Sequence, residues 1–170
     1  MDTAFNITLE HVAATSQCHT FRLAFDGSEE RLLLPYPEVT GLQFSNGDNH
    51  VVAEWMTTML ISSPLDDFVL NPDGRIAFDL SARINVEPES NLKRRWSIQL
   101  PVGEALHVCY IFEVAPDRDW YDFLAKRSRF VAITKQWRGM VQSSTVPLTI
   151  SEGTLSSTLA KEPNDAREPG

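Results

Sequence analysis

Apolar and polar residues alternate along most of this chain, with the period of two expected of strands that bury one face. Phe5, Ile7 and Leu9 fall on one side of residues 4–12, with Asn6, Thr8 and Glu10 on the other. Phe21, Leu23 and Phe25 repeat the pattern over residues 20–26, and Asp26-Gly27 reads as the turn that ends it. Residues 31–34 predict a short strand. Pro35 and Pro37 follow it, and a proline lacks the donor that a central ladder needs, so this piece is expected at an edge or at a crossing between sheets. Residues 41–44, the turn Ser45-Asn-Gly-Asp-Asn49 and residues 51–61 predict a hairpin. Trp55 lies in the middle of its second arm and is expected in the core, with a partner for the indole N–H.

Asn71-Pro-Asp-Gly74 joins residues 68–70 to 75–84; proline presets φ there, and glycine is expected to take the positive φ at the exit. Ile76, Phe78, Leu80, Ala82 and Ile84 share one face of the second run. Residues 86–93 read as a polar loop. The stretch 96–150 organises the chain as a long hairpin, with extended runs at 96–103, 106–114 and 138–150. The last two flank an insertion in which Asp119 is placed to cap a helix over 119–127. Trp120, Phe123, Leu124 and Arg127 recur there at helical spacing. About ten extended runs against one helical candidate predict an all-β fold, an antiparallel sandwich. Residues 1–150 read as one domain, and 151–170, rich in Ser, Thr, Glu and Pro, as a flexible tail.

Leu100-Pro-Val-Gly103 before an alternating strand, and Trp137-Arg-Gly139 before Val141-Gln-Ser-Ser-Thr-Val146, resemble the last two strands of many bacterial Ig-like or fibronectin-type β-sandwich domains. Phe68-Val-Leu-Asn-Pro-Asp-Gly74 resembles the turn that precedes them. Leu106 stands where an aromatic is common and Ser144 where asparagine is common. The resemblance implies an Ig-like sandwich and carries over no catalytic residue, because this architecture hosts many unrelated functions.

Composition narrows the function classes. A hydrophobic share of 42% and a charged share of 22% over 170 residues are those of an ordinary globular domain. A formal net charge of −8 disfavours bulk binding to nucleic acid or to an anionic membrane. The first ten residues have neither a basic start nor an apolar core, and no apolar run reaches membrane-spanning length, so a cytoplasmic setting is expected. The order Cys18, Trp55, Cys109 invites an immunoglobulin disulfide, but Cys109 falls off the Leu106/Val108/Tyr110/Phe112 face and Cys18 off the Phe21/Leu23/Phe25 face; two free thiols are expected.

Candidate chemistry is sparse. His11, His19, His50 and His107 show no metal-ligand spacing, and no metal or cofactor is expected. The Asp and Asn residues of 46–49 and 71–73 read as turns rather than as a calcium loop. No nucleophile elbow, P-loop or dinucleotide motif occurs. Asp66-Asp67 and Asp119/Asp122 are carboxylate pairs that read more simply as a strand start and as helix N-terminal charge. A non-catalytic chain follows as the expectation.

The insertion stands apart. Residues 118–138 carry six Lys/Arg (118, 126, 127, 129, 135, 138) against Asp119 and Asp122, a net of +4, which leaves −12 for the remainder of the −8 chain. It serves either as a plug for the open end of the sandwich or as a recognition loop. The recognition reading assigns Trp120, Tyr121, Lys126, Arg127, Arg129 and Arg138 to a partner protein with an acidic surface. Inhibition of an enzyme such as a protease through the same loop, or a ligand-binding or catalytic cleft between the sheets, are the alternatives.

Overall fold

The computed structural model describes residues 4–57, 66–86, 96–115 and 134–152. Within them the chain is all-β. Its strands are β1 (Phe5–Ala14), β2 (Cys18–Gly27), β3 (Leu32–Pro35), β4 (Leu42–Ser45), β5 (Met56–Thr57), β6 (Asp67–Leu70), β7 (Arg75–Ile84), β8 (Trp96–Ile98), β9 (Ala105–Val114), β10 (Lys135–Gln136), β11 (Gly139–Gln142) and β12 (Val146–Thr149).

One sheet runs β1-β2-β7-β8-β5 and a second, shorter one β10-β3-β6. In a third, β9 takes β4 on one side, and β11 and β12 in succession on the other. Most pairs are antiparallel, but β7/β8 and β10/β3 are parallel, so the expectation of a purely antiparallel arrangement is corrected. Residues 96–103 do not extend the hairpin of 106–150 either. β8 leaves it to lie beside β7, because alternation specifies which face a strand buries and not which strand it pairs with.

The alternating faces meet in one core. Phe5 and Phe25 of the five-stranded sheet reach Phe112 of β9, with ring centroids 6.0 and 5.1 Å away, and Phe21 reaches Phe44 of β4 at 6.3 Å. Edge-on geometry in all three pairs sets the positive ring edge against the negative face. The sheet edges are also joined. The Leu9 N–H points at Ser144 Oγ, 3.4 Å away, beyond β1. On the opposite side residues 51–57 cross from a bridge on Ser45 to the pairing of Met56 with Ser97. The long second arm expected over 51–61 is thus shared between two sheets, and 58–61 lie outside the described residues. Trp55 is half-buried against Phe44, and its Nε1–H donates to the Leu42 carbonyl at 2.9 Å, as its indole required.

Two local expectations are corrected. β3 is the central strand of its sheet, not an edge. Its proline is tolerated because β10 pairs only with Leu32 and Leu33, leaving Pro35 beyond that ladder. In the turn after β6, Asp73 rather than Gly74 takes the left-handed conformation (φ 53°), which aspartate tolerates better than most residues. The turn closes through the Gly74 N–H on the Asn71 carbonyl at 3.0 Å.

The register slips by one residue between β11 and β12, since Gln142 opposes Ile111 while Val146 opposes Val108. Ser143 occupies this bulge. Its N–H donates to the Tyr110 carbonyl at 2.9 Å, and its hydroxyl accepts the Tyr110 N–H at 2.8 Å and donates to the Ser144 carbonyl at 2.7 Å. A side chain thereby replaces the ladder acceptor that the slip removes, and a buried amide stays satisfied.

Candidate functional site

The insertion is rooted at one end of the core. β9 finishes at Val114, the described chain resumes at Thr134, and Lys135-Gln136 pairs parallel with Leu32-Leu33 as β10. Trp137 follows. Its backbone N–H donates to the Leu33 carbonyl at 3.2 Å, and its ring lies edge-on to Phe5 at 4.9 Å and stacked on Phe112 at 5.9 Å. Gly139 makes room for that ring: a Cβ there would lie 2.9 Å from the indole, and φ is 147°. Beside this group Phe25, Phe68 and Phe78 form a second aromatic cluster, over which the Tyr36 ring lies 42% exposed. Phe5, Phe68, Phe112 and Trp137 thus gather at this end of the core.

Of the residues assigned to partner recognition, Arg138 is placed on the exposed surface directly after Trp137. Trp120, Tyr121, Lys126, Arg127 and Arg129, and the helix expected over 119–127, lie outside the described residues, as does the tail from 153 onward. Lys135, counted in the same basic stretch, pairs with Glu30 at 2.9 Å. Both side chains are exposed, so the pair contributes little to stability. In the sequence Trp137 stands out only as part of the Trp137-Arg-Gly139 motif. Its neighbour Gly139 was the available signal that a bulky ring packs there.

The opposite end of β1 and β2 holds a feature that residue spacing did not show. His11 and His19 are eight residues apart, yet the hairpin brings His19 Nδ1 to 3.1 Å from His11 Nε2. Both lie on the alternation that carries Leu9 and Phe21 inward, and both are half-buried. The rings are within 16° of parallel with centroids 5.1 Å apart, and His11 also stacks on Phe21 at 4.9 Å. Burial, and then the charge of His11, lower the proton affinity of His19 below the usual imidazole value. A register shift between His11 and Ala13 re-aims this end of the strand.

Cys18 and Cys109 are both free and half-buried. Burial pushes the Cys109 thiol up, partly offset by a hydrogen bond with Gln142, so it is a poor nucleophile. Asp66 precedes β6 and Asp67 begins it, so the two do not form a facing pair. Among the described residues no three His, Cys, Asp or Glu side chains gather as a metal-binding group, and no helix is long and apolar enough to cross a membrane. No family model, curated protein or solved structure matches the chain.

Proposed function

We propose that this chain is a non-catalytic interaction module that binds an acidic partner protein through the basic, aromatic segment 118–138. The observation that carries the reading is at the root of that segment. The segment departs from an aromatic end of the core, where Trp137 packs on Phe5 and Phe112 beside the Phe25/Phe68 pair. So rigid a root supports its use as a recognition loop rather than as the plug that Trp120 and Phe123 would form. A net of +4 against −12 elsewhere favours an acidic partner by electrostatic steering. Trp, Tyr and Arg are the residue types that dominate interface energetics, and the segment supplies all three.

The Ig-like sandwich reading of the framework belongs to the same proposal, supported by sheets that face each other through phenylalanine contacts. Two free thiols suit the proposed cytoplasmic setting, where disulfides are rare. Ring contacts across the interior favour the interaction role over a ligand cleft between the sheets. The inhibitor reading uses the same loop and differs only in the partner's class.

Affinity capture from native extract with wild type and a Lys126→Ala/Arg127→Ala/Arg129→Ala variant, shown to be folded by circular dichroism, tests the proposal. A partner identified with wild type and lost by the variant supports it. Equal retention by both overturns the site assignment.

A further inference from the structure

We propose that His11 and His19 form a two-imidazole site for a divalent transition cation of the zinc, nickel or copper class. The pair is independent of the 118–138 segment, and the inference does not rest on the interaction role. The nitrogens that face each other, His19 Nδ1 and His11 Nε2, are 3.1 Å apart. A metal–imidazole bond of about 2.0–2.1 Å at a tetrahedral angle sets two ligand nitrogens about 3.3–3.4 Å apart. Replacing the shared hydrogen bond by a cation therefore asks the nitrogens to part by only a few tenths of an ångström and the rings to turn toward it. The rings are within 16° of parallel, and the hydrogen bond between the two nitrogens sets them facing each other, each available as a donor atom to one cation.

The pair is also held in place before any ligand arrives. His11 stacks on Phe21, which is fully buried, so its ring has little freedom to turn. The loop joining the two strands is fixed by the Thr15 N–H on the Cys18 carbonyl at 2.8 Å and by the Cys18 N–H on Thr15 Oγ1 at 3.1 Å. Prior fixing of ligands lowers the ordering cost of binding. Imidazole suits this class of cation over magnesium or calcium, which select oxygen. Among the described residues no third His, Cys, Asp or Glu joins the two rings. A cation bridging the rings ties β1 to β2 at the end of the hairpin.

Zinc titrated into protein stripped with chelator, followed by calorimetry and by imidazole nitrogen NMR, tests the site. One equivalent is expected to bind saturably, with the Nδ1 signal of His19 and the Nε2 signal of His11 shifting together. His11→Gln and His19→Gln are each expected to lose at least tenfold in affinity, and His50→Gln/His107→Gln to lose none. Absence of saturable binding, or binding that shifts other histidine signals, overturns the proposal. The NMR readout on wild type needs no variant to fold.

Discussion

The Tyr110 ring lies so close to Gly41 that a Cβ added to the glycine would stand 2.3 Å from Cζ. The contact places the phenol where its O–H donates to the Glu38 carbonyl at 2.7 Å, tying β9 to the 3-10 turn at Val39–Gly41. Burial drives the Tyr110 proton affinity far above the usual phenol value, so it remains a donor wherever the fold persists. Gly41→Ala is expected to cost about 1–3 kcal/mol through overpacking. Tyr110→Phe is expected to cost about 0.5–1.5 kcal/mol for the lost hydrogen bond. Urea unfolding of both variants checks the order; a Gly41→Ala variant as stable as wild type contradicts the contact.

Ser143 offers a sharper test of the bulge. Ser143→Ala removes the only described acceptor of the buried Tyr110 N–H and leaves that donor unsatisfied, at about 1–3 kcal/mol. Amide exchange of Tyr110 should accelerate by more than that of its neighbours in β9. Uniform acceleration along β9 would indicate global loss of stability without the local role.

Trp137 and the basic residues of the segment should separate in their effects. Trp137→Ala removes a half-buried ring that contacts Phe5 and Phe112, and is expected to cost about 2–4 kcal/mol. Arg138→Ala, at an exposed position, is expected to change stability by less than about 0.5 kcal/mol while weakening partner binding. Chemical denaturation and binding measured on the same preparations distinguish the two.

Thiol chemistry gives a prediction with a sign. The Cys109 proton affinity is raised, so less thiolate is present at neutral pH than for an ordinary cysteine. Alkylation of Cys109 in the folded protein is expected to be slower than that of a cysteine peptide, with half-maximal rate at higher pH. Mass spectrometry after timed alkylation checks this, and a rate at neutral pH equal to the peptide's contradicts it.

The long half-buried strands were legible because a period of two says which side chains turn inward. Phe5, Ile7 and Leu9 of β1, and Leu106, Val108, Tyr110 and Phe112 of β9, are all buried as the alternation requires. Neighbour relations were not legible. β8 lies parallel to β7 and β6 pairs with β3, and both follow from packing between distant segments rather than from any local pattern. Pro35 misled because its missing donor matters only if a strand pairs there, and β10 stops short of it. The histidine pair was not legible as a site because an eight-residue separation matches no ligand spacing along one element, whereas a hairpin makes diagonal cross-strand neighbours of His11 and His19. The segment assigned to recognition was legible only as charge and aromatic content.

The most direct test replaces residues 118–133 with a flexible Gly/Ser linker of about eight residues and compares its guanidinium unfolding and partner binding with wild type. If the segment serves recognition and does not plug the core, the unfolding free energy stays within about 1 kcal/mol and partner binding is lost. A variant that loses cooperative unfolding, or one that still binds the partner with wild-type affinity, contradicts the account.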